Sequence, residues 1–113
     1  MLRAFRHLPV ALMAILANVA GAVPDASEDE RSYLSCVRKH ESRGEYDVVS
    51  RDKRYYGAYQ FTRRTWNRAA RYAGRKDLVG VAPHKASPAD QDAMALVLVR
   101  WQGRSPWRQD GCR

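Results

Sequence analysis

The stretch Lys39-His40-Glu41-Ser42-Arg43-Gly44 sets one carboxylate among three bases. Such a glutamate either tempers local repulsion or acts as an acid. A carboxylic acid can protonate a leaving group if it keeps its proton near neutral pH, and burial among apolar groups raises its pKa in that direction. Further on, Tyr55-Tyr56-Gly57-Ala58-Tyr59-Gln60-Phe61 places aromatic rings and an amide beside a glycine. Flat rings stack on sugar faces, and the Gln60 amide both donates and accepts, as recognition of hydroxyl and acetamido groups requires. The same tyrosines fit a hairpin's core and cross-strand pairs equally well. Asp47 and Asp52 are the nearby candidates for a second carboxylate, and both also suit a solvated turn.

Three helices are expected to position these groups. Ser27 followed by Glu30 is a capping-box pattern, so a helix should begin at Glu28, with residues 23–32 forming a short leader and the helix start. Leu34, Val37 and Glu41 recur on one stripe, with Gly44 as the stop, which puts Glu41 on the inward face near the helix C-terminus. There the dipole also disfavours an anion, while Lys39, His40 and Arg43 favour one; desolvation is expected to win. Residues 46–50 and 55–61 have strand composition around a polar turn and predict a short hairpin. Alternation along the second strand would send Tyr56, Ala58 and Gln60 to one face and Tyr55, Gly57, Tyr59 and Phe61 to the other. Thr62 caps a second helix through Trp66, Ala69 and Ala70 to Gly74. Ser87-Pro88-Ala89-Asp90 opens a third, with Met94, Val97, Leu98 and Trp101 on its stripe and Gly103 at its end. The fold class is therefore α+β: a small, mainly helical domain with a short β-hairpin.

With 113 residues the chain has room for one domain. Residues 1–22 have a basic start, an apolar run from Leu8 to Val19 and Ala20-Gly21-Ala22, which together predict a secretory signal peptide. That run is shorter than the roughly 20 residues needed to cross a bilayer, so no stable membrane anchor is expected. Without Arg3 and Arg6, Lys+Arg falls from 20 to 18 against 12 acids, a net charge of +6. This balance suits an anionic partner, but the arginines are scattered, which argues against a nucleic-acid arm. Cys36 and Cys112 lie near the two ends of the exported chain, where an oxidising compartment predicts a disulfide. Two cysteines without a clustered histidine pair predict no metal site, and no nucleotide loop or nucleophilic triad order is present.

The ordered set Glu41-Ser42-x-Gly44, Tyr55-Tyr56-Gly57-Ala58-Tyr59-Gln60-Phe61 and Thr65-Trp66 resembles the transglycosylase-like domain of resuscitation-promoting factors, and more broadly the lysozyme-like superfamily. The resemblance spans roughly residues 33–112, and the domain is taken as 33–113. It implies a lysozyme-like fold, peptidoglycan cleavage and Glu41 as the catalytic acid. It also implies that Tyr56, Gln60, Thr65 and Trp66 line or support the glycan groove. The chain departs from the pattern at His40, where relatives often carry cysteine, at Arg43, where a second glycine is usual, and at Tyr59, where a smaller aliphatic is usual and a tyrosine could narrow the groove.

A single-glutamate mechanism would give a 1,6-anhydro product, and water activated by Asp47 or Asp52 would give hydrolysis. The enzyme reading competes with a weakly catalytic wall-glycan-binding module and with a basic secreted protein that binds anionic polymers. On the first reading the partners are peptidoglycan strands and a second wall hydrolase. The protein is then expected outside the cell or at the wall, as a monomer without cofactor.

Overall fold

In the computed structural model, residues 25–113 are described; the expected signal peptide, residues 1–22, lies outside them. Helix α1 runs Glu28–Ser42, α2 Arg63–Tyr72 and α3 Pro88–Gln102, joined by short 3-10 segments at Lys76–Leu78 and Pro83–Lys85 and followed by one at Ser105–Asp110. Each helix starts where local chemistry supplies partners for its free N–H groups. Ser27 and Glu30 cap each other reciprocally at 3.1 and 2.8 Å. Thr62 accepts from the Thr65 N–H, and Ser87 from the Asp90 N–H. Arg43, at φ 57°, takes the left-handed turn that ends α1, one residue before Gly44.

The three helices enclose an aromatic core. Tyr33, Leu34 and Val37 of α1 meet Trp66, Ala69 and Ala70 of α2 and Met94, Ala95 and Leu98 of α3. Phe61 stands edge-on to both Trp66 and Trp107, at 5.3 and 5.9 Å between ring centroids. The α3 stripe is offset from the expected one: Met94 and Leu98 are buried, whereas Val97 and Trp101 are only half-buried. Trp101 instead stacks on the exposed Tyr72 at 4.4 Å.

The expected hairpin is not formed. Among the described residues its place is taken by two isolated bridges, Val49 to Tyr56 and Tyr56 to Phe61. The reason is backbone curvature. Gly57 and Gln60 both have positive φ, 80° and 53°, so the chain folds back within four residues and Tyr56 pairs with Phe61 through both of their N–H groups. Side-chain alternation is lost with the strand, and Ala58, Tyr59 and Phe61 are all buried. The domain is thus mainly helical around a tight turn.

A buried amide fixes that turn. Gln91 of α3 accepts from the Ala58 N–H at 2.9 Å and donates to the Tyr46 and Ala86 carbonyls, each at 3.0 Å. Gly57 is constrained twice, by its left-handed φ and because a Cβ there would collide with the Gln91 Oε1. Gln91→Leu would leave the buried Ala58 N–H and two part-buried carbonyls without this partner and is predicted to cost about 2 kcal/mol or more, measured by urea unfolding against wild type.

Candidate active site

Three segments converge at the end of α1. Ser42, directly after Glu41, donates its hydroxyl to the Ala58 carbonyl at 2.8 Å, which holds the helix end against the turn that carries Gln60. Trp107 donates its indole N–H to the Tyr59 carbonyl at 3.0 Å, which holds the Ser105–Asp110 segment against the same turn. The disulfide joins Cys36, one and a half turns before Glu41, to Cys112, two residues after Asp110, with 5.9 Å between the Cα atoms. The expected pairing of the cysteines is present. Cys36, His40 and Cys112 bring their ligand atoms within 4.8 Å of one another. The two sulfurs are bonded to each other, however, and a cystine offers no thiolate to a metal.

Glu41 is half-buried, and its carboxyl is pushed up to about 8. Burial is the largest cause; the second is the carboxyl of Asp110, which lies within hydrogen-bonding reach and repels a second negative charge. The neighbouring bases do not counter this. Among the described residues, neither Lys39, His40 and Arg43 nor any other base forms an ion pair with Glu41. Asp110 was not legible as a partner, since 69 residues separate it from Glu41. The one signal was Cys112 beside it, since a Cys36–Cys112 bridge brings residue 110 back onto α1.

The groove residues divide by exposure. Gln60 and Thr65 line a small cavity of about 120 Å³ with Tyr55, Thr62, Pro106 and Trp107. The Gln60 amide folds back to donate to the Gly57 carbonyl at 2.9 Å, and the Thr65 and Thr62 hydroxyls lie 3.0 Å apart. Tyr56 is half-buried, donates its hydroxyl to the Lys53 carbonyl at 2.6 Å and lies under the Arg63 guanidinium. Trp66 is fully buried and donates to the Leu78 carbonyl, so it offers no surface and supports the cavity from below through Phe61. Asp47 and Asp52 are exposed; Asp52 is occupied in its own turn by the Ser50 hydroxyl at 2.6 Å and the Arg54 N–H at 3.2 Å.

Tyr59 does not line the small cavity that Gln60 and Thr65 share. It is buried, and its hydroxyl leaves the site in the opposite direction to donate to Asp92 at 2.6 Å, an oxygen that also accepts from Tyr46 at 2.8 Å. Arg38 donates to the Tyr59 hydroxyl at 2.6 Å. Arg38, Tyr59 and Asp92 border a cavity of about 450 Å³ between α1 and α3, lined also by Leu34, Arg75 and Asp90. Neither Glu41 nor any of the four groove residues lines it. Two of its arginines are already paired, Arg75 with Asp77 and Asp90 and Arg38 with Asp92.

The raised Glu41 carboxyl has a cost in stability. In the unfolded chain the group titrates near 4.5, and in the folded protein near 8, so the folded state binds the proton more tightly. The contribution is fully present below about pH 4.5 and is lost as pH rises through 8. Glu41→Gln is therefore predicted to be more stable than wild type at about pH 9, by about 2 kcal/mol once solvent screening of a half-exposed group is allowed for. The difference should vanish below pH 4.5, and thermal unfolding of both proteins across this range checks it.

Comparison with curated proteins and with solved structures gives no match. Comparison with family models matches residues 29–109 to the transglycosylase-like domain. The matched segment runs from the first turn of α1 to the last 3-10 segment and contains Glu41, the Tyr56–Phe61 turn and Thr65-Trp66. This chain belongs to the transglycosylase-like domain family.

Proposed function

We propose that this protein is a secreted lytic transglycosylase that cleaves the β-1,4 bond between N-acetylmuramic acid and N-acetylglucosamine in peptidoglycan, with Glu41 as its acid and base. The observation that carries this reading is a half-buried glutamate at a helix end whose carboxyl is pushed up to about 8. Such a group keeps its proton at neutral pH and can give it to a glycosidic oxygen. Family membership supports peptidoglycan as the substrate. The motifs around Glu41 and Gln60 support likeness to resuscitation-promoting factors within the family. The cystine supports an oxidising, extracytoplasmic location.

In this mechanism Glu41 protonates the leaving oxygen and the C1–O bond breaks toward an oxocarbenium-like centre. The Glu41 carboxylate then takes the proton of the muramic 6-hydroxyl as that oxygen bonds to C1, giving the 1,6-anhydro end. No second carboxylate is needed as nucleophile or water-activating base. Asp110 suits neither role, because a carboxyl within hydrogen-bonding reach is closer than the about 5 Å of a retaining pair or the 6.5 Å or more of an inverting one. Gln60 and Thr65, on the cavity beside Trp107, are the groups that would meet the sugar.

Mass spectrometry of purified peptidoglycan incubated with the oxidised protein tests this. Wild type is predicted to release 1,6-anhydro muropeptides, and Glu41→Gln to release at least about 100-fold less. Reducing-end products would make the enzyme a hydrolase. Wall binding without products from either protein would make it a binding module.

A further inference from the structure

Asp110 lies one residue beyond the segment matched to the family, and the single-glutamate mechanism gives it no task. Its surroundings are nevertheless specific. The Oδ2 atom is sealed from solvent and has no hydrogen-bond donor among the described residues. Buried carboxylate oxygens are rarely left in that condition, and each such case asks for an explanation. The segment that carries it is fixed on both sides, by Trp107 on the Tyr59 carbonyl and by Cys112 on Cys36. Gly111, at φ 69°, makes the turn between the aspartate and the cystine. The group within reach of the Asp110 carboxyl is Glu41.

We propose that Asp110 is the positioning residue for Glu41: the two carboxyl groups share one proton, held in place by the Cys36–Cys112 closure. This inference rests on the reading of Glu41 as the acid. Because the Asp110 Oδ2 is sealed from solvent, it acts through Glu41 and not on the sugar. The pair carries one negative charge before the reaction. When Glu41 gives its proton to the glycosidic oxygen, the C1–O electron pair leaves on that oxygen and both carboxylates are anionic. Their doubled charge faces the positive centre developing at C1. The proton of the muramic 6-hydroxyl then returns to the pair as the new C–O bond forms.

The charged groups around Glu41 are few. The end of its own helix and the cap carry Arg38, Lys39, His40 and Arg43, and the last 3-10 segment with its cap carries Arg104, Arg108 and Asp110. Arg38 is committed to Tyr59 and Asp92, and Arg104 lies over the Tyr33 ring at 4.4 Å. Of these groups Asp110 is the one that acts on the Glu41 carboxyl, in the direction that keeps it protonated.

The experiment is a carbon-13 NMR titration of the Glu41 carboxyl in the oxidised wild type and in Asp110→Asn, with the pH profile of peptidoglycan cleavage measured on the same samples. Asp110→Asn is expected to lower the Glu41 midpoint by at least about one unit. The alkaline limb of the cleavage profile should move with it, a loss of about threefold or more at pH 7.5 with the rate at pH 5 within about twofold. Asp110→Glu, which restores the charge, should recover part of the shift. A Glu41 midpoint unchanged by Asp110→Asn, or a loss of rate equal at every pH, would overturn the proposal. If Asp110→Asn does not fold, Asp110→Ser takes its place, and a wild-type midpoint near the ordinary glutamate value overturns the pairing without any variant. A wild type that cleaves no peptidoglycan would remove the function proposed above, whereas the titration would still decide whether the two carboxyls are paired.

Discussion

The Cys36–Cys112 bond is the constraint on which the rest of this small domain depends. It closes a loop of 76 residues, which in a chain-entropy account contributes about 4 kcal/mol, a large share of the stability of a domain this size. It also has a local consequence. The last 3-10 segment is held in place also by Arg104 over the Tyr33 ring of α1 and by the buried Trp107. Once Cys112 is tied to Cys36, Trp107 seats against the Tyr56–Phe61 turn and Asp110 arrives beside Glu41. Stability and chemistry thus draw on the same crosslink.

A second level of organisation is polar and lies behind the first. Gln91 satisfies three backbone groups of the irregular segments, and Asp92, its neighbour on α3, collects the hydroxyls of Tyr46 and Tyr59. In a domain with no extended sheet among its described residues, side-chain amides and hydroxyls do the work that ladder hydrogen bonds would otherwise do. Tyr59 shows the effect on the site. Its ring packs against Trp107 and its hydroxyl anchors on Asp92 of α3, so the turn that carries Gln60 is braced from within.

Much of this was legible in the sequence, and the limits are physical. The helix starts at Ser27, Thr62 and Ser87 are local chemistry, readable from four residues each, and all three appear where expected. The inward placement of Glu41 followed from the spacing of Leu34 and Val37, and its raised carboxyl from that burial. The hairpin failed because Gln60, like Gly57, adopts left-handed backbone inside the expected strand, for Gln60 a choice made by tertiary packing that composition does not record. The burial of Tyr59, with its hydroxyl on Asp92, failed to show for a related reason: alternation assumes a strand that is not there. Asp110 was not read because the one mark near it in sequence, Cys112, points to it only through the bond to Cys36. Only closure of the chain puts it next to an acid.

The account's central claim is that Glu41 meets the glycosidic oxygen of a wall glycan lying beside the Gln60 turn. A crystal structure of the Glu41→Gln protein with a peptidoglycan tetrasaccharide tests it most directly. The account predicts the scissile oxygen within about 3 Å of the side chain at position 41, with the sugar also in contact with Gln60 and Thr65. A glycan seated elsewhere, as in the cavity between α1 and α3 lined by Arg38 and Asp92, would contradict it.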